Sequence, residues 1–363
     1  MADFRSTTRR RFLAGAGATA AAGAAFSILP RRARAARSLK VGVYGGYFKD
    51  SFDKHIFPAF TEATGIEVQS VAEPTGEAWL VQLQNAARAG QAPADVSMMA
   101  QVPRMKGQNA ELWAPLDASK LENSEYLFDR FVHTYDDGSI SGIGAVSWFI
   151  TLVSNTDVYP QAPSSWAEFW DPANEDRLGL LALSSNSFLL EITAATFFDG
   201  HKTLQSEAGI QKVLDKLAEV KPNVKLWYRD EGQFQQALQS GEIPMGQYYH
   251  DVATLAAADG FPVRSTFPEE GGVLDSGSWS VSKASEKLDE AHVFIDYMCR
   301  PEIQAKLARK VGTAPTVERQ HTDLSDAEFA AVSSEKEPIQ PYYRMYMDRG
   351  DWVSDQWTSM ITG

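Results

Sequence analysis

The residues with the most chemistry to offer lie in one stretch, Lys225–Asp259, where Arg229 is followed by Tyr248, Tyr249, His250 and Asp251. A guanidinium suits a carboxylate, which it can grip with two parallel hydrogen bonds. A carboxylate beside aromatic faces suits an ammonium group. Two adjacent phenols could also serve a hard cation that seeks oxygen donors. The spacing around these residues says how they are presented. Phe234, Ala237 and Leu238 follow i, i+3, i+4, which predicts a helix over Gly232–Ser240, stopped by Gly241. Ile243–Gln247 predicts a short strand with Pro244 near its start, where a missing N–H is tolerated. Val252–Ala258 predicts a second helix with Asp251 as its N-cap. A strand, a polar-aromatic turn and a helix N-terminus is how open α/β sheets present ligand groups beyond the carboxyl ends of their strands. Two roles stay open for Asp251, cap or ligand group, and each tyrosine can be core, rim or ligand wall. Arg229, flanked by Trp227 and Tyr228, is either an exposed strand-end charge or a third member of the group.

The elements needed to hold such a site are legible on both sides of it. Leu39, Val41 and Val43 alternate, predicting a strand over Ser38–Tyr44 that ends at Gly45-Gly46 with Tyr47 just beyond. A helix over Phe52–Thr64 closed by Gly65, a strand through Ile66, Val68 and Ser70, a helix over Glu77–Ala89 and a buried strand over Ala94–Ala100 follow. Strands alternating with helices predict a mostly parallel, doubly wound α/β sheet. Ile140–Ser154 reads as a long extended passage between domains, and Ser165-Trp166-Ala167-Glu168 as a capping box. A strand over Leu178–Ser184 leads through Ser185-Asn186-Ser187 into a helix ending near Phe198, and another helix covers Ile210–Val220. Asp275–Ser282 returns as a strand containing Trp279, before helices over Ser285–Cys299 and Pro301–Val311. The tail carries Tyr342, Tyr343, Tyr346, Trp352 and Trp357 and is expected to pack across a domain surface.

Residues 1–35 read as an export address rather than as fold. Thr8-Arg9-Arg10-Arg11-Phe12-Leu13 fits the twin-arginine pattern, Ala14–Leu29 is a mildly apolar run, and Ala33-Arg34-Ala35 sets up cleavage before Ala36. A retained N-terminal anchor is the alternative. That segment holds seven arginines and one aspartate, so its removal takes the formal charge from −13 to −19. Such an acidic chain argues against a nucleic-acid partner and is compatible with cationic ligands. The 328 residues that remain exceed one ordinary core and predict two domains. Cys299 stands alone, which excludes an intrachain disulfide and fits a buried, inert thiol.

Signatures of catalysis are missing. The sequence contains no HExxH, paired CxxC, GxSxG, Walker or EF-hand pattern, and its six histidines are scattered. No cofactor is implied, and a secreted enzyme is the weaker class of reading.

Five segments taken together resemble a periplasmic solute-binding protein of an ABC importer: ATGIEVQSV, SSWAEFWDPANEDRLGLLAL, GEIPMGQYYHDVATLAAADG, FPEEGGVLDSGSWSVSKAS and IDYMCRPEIQAKLARKVGTAPT. The look is nearest to the polyamine-binding branch and weaker to the ferric-ion-binding branch. The resemblance implies a type II periplasmic-binding-protein fold, two α/β lobes joined by extended hinges, each a mostly parallel sheet flanked by helices. It implies residues 36–148 plus 276–318 as lobe 1, and 149–275 plus 319–363 as lobe 2. It also implies a periplasmic, monomeric protein that closes on a small molecule, delivers it to a membrane permease and catalyses nothing.

Carried over residue by residue, the polyamine cage is incomplete. Tyr249 falls where the family places an indole, Asn186 and Leu189 where it has two carboxylates, and Ala100 where it has a hydroxyl. Asp275 and Gly277 fall on its aromatic–acid pair, with Trp279 two residues on. Losing carboxylates removes partners that a multiply charged polyamine needs, and each unpaired buried ammonium costs several kcal/mol. Arg229 with Asp251 and Asp275 instead suits a zwitterion such as 4-aminobutyrate, or a short amine. For the ferric branch, Tyr248 and Tyr249 fall on its two phenolate ligands, whereas Tyr47 and Ala100 stand where it has histidine and glutamate. The expected ligand set is therefore Tyr47, Asn186, Arg229, Tyr249, Asp251, Asp275 and Trp279, with no metal, the Tyr248/Tyr249 pair being the ferric alternative.

Overall fold

The computed structural model describes residues 37–74 and 77–363, so the signal-peptide reading on residues 1–35 lies outside the described residues. The chain begins β1 (Arg37–Tyr44), α1 (Tyr47–His55), α2 (Phe57–Thr64), β2 (Ile66–Glu73), α3 (Glu77–Arg88), β3 (Val96–Ala100) and α4 (Gln101–Asn109). The short β4 (Val132–Thr134) precedes the long β5 (Ile140–Asn155), which leads to β6 (Leu178–Leu181), α5 (Ser184–Ser187), α6 (Leu189–Phe197) and α7 (Glu207–Ala218). Then come β7 (Val224–Tyr228), α8 (Glu231–Ser240), β8 (Met245–Tyr249), α9 (His250–Ala258) and β9 (Val263–Thr266). The return is β10 (Val273–Val281), α10 (Leu288–Cys299), α11 (Pro301–Val311), α12 (Asp326–Ala330) and α13 (Tyr343–Thr362).

The strands form one sheet in the order β2-β1-β3-β10-β5-β8-β6-β7, with β4 and β9 also paired to β5. Each half is parallel where strand–helix–strand units build it: β1 with β2 and β3, β6 with β7 and β8. The two long strands that join the halves, β5 and β10, run antiparallel to their neighbours and to each other. Apolar side chains divide between the halves. Val41, Phe52, Phe60, Phe294 and Leu307 belong to one core, and Leu180, Leu190, Leu214, Met345 and Trp357 to another. This is the α/β arrangement that the alternating pattern predicts.

Several boundaries differ from expectation for local reasons. The helix expected over Phe52–Thr64 is two helices, broken at Ile56 just before Pro58. The strand expected over Ile243–Gln247 lies two residues later, because its pairing with β5 starts at Met245↔Ser154 and runs to Tyr249↔Ile150. Asp251 is consequently not a cap. Helix α9 starts at His250 with Tyr249 in the N-cap position and no side-chain capping bond, which leaves Asp251 inside the first turn. Helix α8 does have its cap, Asp230 Oδ1 accepting from Gln233 N–H at 2.7 Å, and ends at Gly241 in the left-handed region. Its Phe234 packs against Gly179 and Gly246: a Cβ on Gly179 would come within 2.2 Å of that ring. This close approach holds α8, and with it Glu231, against the end of β8.

Candidate functional site

The site is built on the middle of β5. Along one edge Trp148 faces Asp275 of β10, and Ile150 faces Val273. Along the other edge Ser147 bridges to Ala314, and Ile150 faces Tyr249. Paired residues point to the same side of a sheet and the side-chain period is two, so Trp148, Asp275 and Tyr249 share one face. Asp251, which follows Tyr249 by two, lies near Gly312, just before Thr313 and Ala314. A Cβ on Gly312 would stand 3.8 Å from Asp251 Oδ2. Tyr44, at the carboxyl end of β1, sets its ring edge-on to Trp148 with centroids 6.4 Å apart.

Polar groups beside these strands are under-satisfied. Tyr44 OH, Asp251 Oδ1 and Thr313 Oγ1 are buried and find no hydrogen-bond partner among the described residues. Asp275 Oδ1 accepts Tyr343 O–H at 2.6 Å and Ser276 N–H at 2.8 Å, while its Oδ2 receives no hydrogen bond from a described residue. Native proteins pair nearly all buried polar atoms. Unpaired ones beside the crossing strands are the mark of a surface that a polar ligand completes. Protein encloses Asp251 and Asp275 on nearly all sides, yet both keep some solvent-accessible surface. That combination fits a recess that opens to solvent.

Electrostatics follow from this enclosure. Burial raises the carboxyls of Asp251 and Asp275 from 3.8 to about 6, because removing water disfavours the charged form. Burial likewise raises Glu191 to about 7 and Glu73 to about 8. The Tyr44 hydroxyl is pushed well above its ordinary value, first by burial and then by the charges of Glu73 and Asp275. The field in this recess is negative, and an ammonium group would relieve it.

The expected ligand residues are distributed unevenly over this geometry. Tyr249 and Asp275 share one face beside β5, and Asp251 stands in the first turn of α9, two residues beyond Tyr249. Tyr47 starts α1, and its side chain lies outside the described part of the structure. Arg229 is exposed just past the end of β7, with no ion-pair partner among the described residues. Asn186 is exposed in α5, where its Oδ1 accepts Ser185 O–H at 2.9 Å. Trp279 corrects the expectation. It is fully buried in the first core between Phe52 and Phe294 at centroid distances of 6.1 and 5.0 Å, so its role is packing. Tyr248 is also buried, its hydroxyl donating to Glu231 O at 3.2 Å, while Tyr249 O–H donates to Glu231 Oε1 at 3.0 Å.

Four members escaped the sequence reading. Tyr44 could have been suspected, since it closes a predicted strand at Gly45-Gly46. Trp148 lay inside an apolar crossing, Thr313 in an unremarked turn and Tyr343 in an aromatic tail, none with a local signal. Hollows of about 680 and 600 Å³ lie elsewhere, beside Glu191 and His201 and behind the crossing strands at Phe149 and Leu274. Neither contains any of the expected ligand residues.

A two-lobed α/β fold with a polar cleft at its crossing strands is the architecture of a solute-binding protein, and the comparisons agree. The family model "Bacterial extracellular solute-binding protein" matches residues 55–328, and the chain belongs to that family. It is similar to the gamma-aminobutyric acid-binding protein of Pseudomonas aeruginosa, 23% identical with 77% of each chain covered. It is also similar to the spermidine/putrescine-binding periplasmic protein of Salmonella typhimurium (24%, 66% of each) and the major ferric iron-binding protein of Neisseria gonorrhoeae (27%, 74% of this chain and 78% of that one). Among solved structures, an ABC transporter substrate-binding protein from Bradyrhizobium japonicum superposes with a TM-score of 0.76 at 20% identity, covering 90% of this chain and all of that one. Proteins of this family bind a small molecule and work with a permease; they are not enzymes.

Proposed function

We propose that this chain captures a small ammonium-bearing solute, a 4-aminobutyrate-like zwitterion or a short amine, in the cleft between its lobes, and hands it to an ABC permease. The observation that carries the reading is the pair of enclosed carboxylates, Asp251 and Asp275, each with an oxygen that no described protein group satisfies, beside Tyr44, Trp148 and Tyr249. An ammonium supplies the missing donors and charge, and aromatic faces cover the attached methylenes. Arg229, exposed just past β7 with no ion-pair partner among the described residues, is the group offered to a ligand carboxylate. The names of the gamma-aminobutyric acid-binding and spermidine/putrescine-binding relatives support the same ligand class. Calorimetry of the purified protein with 4-aminobutyrate, putrescine and spermidine tests it; heat from none of the three would reject the reading.

The proposal includes a monomer working in the periplasm after export by the twin-arginine route, as the Thr8–Leu13 pattern suggests. It also includes lobes of residues 36–148 plus 276–318 and 149–275 plus 319–363. A second reading, ferric ion, has one observation in its favour: the hydroxyls of Tyr248 and Tyr249 both turn to Glu231. Against it, burial raises the Tyr248 and Tyr249 hydroxyls well above their ordinary value, which disfavours phenolates.

A further inference from the structure

We infer that Tyr343, the first residue of the C-terminal helix α13, is a specificity-determining residue. Its ring closes the Asp275 end of the cleft, so that the site admits ligands ending there in one ammonium and excludes longer polyamines. The inference rests on the ammonium reading of the site and adds to it a limit on length.

Two observations carry it. First, Tyr343 O–H and Ser276 N–H both occupy Asp275 Oδ1, which leaves a single carboxylate oxygen for a ligand. Second, the start of the helix that carries Tyr343 is anchored on both sides of that residue. The preceding N–H, that of Tyr342, donates to the buried Glu191 at 3.1 Å, and Tyr346 O–H donates to the other Glu191 oxygen at 3.0 Å. Further along, Trp357 of the same helix donates from Nε1 to Ala182 O at 2.8 Å and meets Trp227 edge-on. A chain continuing past Asp275 would therefore meet a phenol ring carried on an anchored helix.

The test is calorimetry on the mature protein with 4-aminobutyrate, putrescine and spermidine, comparing wild type, Tyr343→Phe and Tyr343→Ala. Wild type is expected to bind its better short ligand at least about tenfold more tightly than spermidine. Tyr343→Phe keeps the ring and is expected to keep that ratio. Tyr343→Ala opens the end and is expected to shift the ratio about tenfold or more towards spermidine. Tyr343→Leu, shorter but still apolar, serves the same purpose should the alanine variant fail to fold. The ratio within one variant is insensitive to general loosening of the fold. An unchanged ratio in the Ala and Leu variants, or a wild type that prefers spermidine, overturns the inference while leaving the ammonium site standing. A wild type that binds none of the three removes both.

Discussion

The carboxylate of Asp251 stands against Gly312 where the N-terminal turn of α9 meets the C-terminal end of α11, so that a Cβ on the glycine would lie 3.8 Å from Oδ2. This is a contact between the two halves of the chain, and it places a charge with an unpartnered oxygen on their boundary. Asp251→Asn is expected to stabilise the ligand-free protein at pH 7.5, because burial holds the wild-type carboxyl at about 6 and ionising it there costs folding free energy. The gain is about 1–3 kcal/mol. The same change is expected to weaken binding of an ammonium ligand about 30-fold or more. Denaturant unfolding and calorimetry on the one variant check both halves; a loss of stability with unchanged affinity would return Asp251 to a purely structural role.

The pH dependence of binding should run opposite to that of stability. A carboxyl raised on folding stays protonated in the native chain while the unfolded chain is already ionised. The contribution of Asp251 and Asp275 to stability is thus full below about 4 and is lost as pH rises through about 6. An ammonium ligand needs them ionised. Between pH 7.5 and pH 5 each passes from almost fully ionised to about one-tenth ionised, so affinity is expected to fall about tenfold if one carboxylate contacts the ligand and about 100-fold if both do. A titration that is flat over this range would exclude carboxylate–ammonium pairing.

Arg229 separates the two ligand types. Arg229→Ala is expected to weaken 4-aminobutyrate about 30-fold or more and to leave putrescine within about threefold, since a diamine has no carboxylate to lose. Equal effects on both ligands would place the guanidinium in the fold or in lobe closure instead.

Iron gives a visible test. The Tyr248 and Tyr249 hydroxyls are pushed far from ionisation by burial and by the charge of Glu231, so they act as hydrogen-bond donors rather than phenolates. Protein purified as such, or incubated with ferric citrate, is expected to be colourless. A charge-transfer band that disappears in Tyr249→Phe would assign ferric ion to this site.

Elements governed by local pattern were readable, and groups assembled over long distances were not. The alternation of Leu39, Val41 and Val43 and the stop at Gly241 depend on neighbours a few residues away, and both stand where expected. The placement of β8 depended on its pairing with β5, nearly a hundred residues earlier, so spacing around Pro244 misjudged it by two positions. That shift changed Asp251 from a cap into a buried, unpaired charge. Trp279 was misassigned for a related reason: alternation along β10 places it in the core, and only the sheet register shows which face is inward. Tyr343 joins Asp275 from 68 residues away through a tertiary contact that no local signal foreshadows.

The insertion of β10 between β3 and β5 has a consequence for how the chain is made. The central strand of the first half is supplied by residues 273–281, so a ribosome must synthesise about three-quarters of the polypeptide before that sheet can close. Until then β3 and β5 present open edges, and the core around Val41 and Phe60 lacks Trp279 and the α10 side chains that complete it. Pairings of such long sequence separation fold slowly and expose edges that can aggregate. The first half therefore completes its fold only late in synthesis, together with the second, and a nascent chain truncated before residue 273 lacks the strand that joins its two exposed edges.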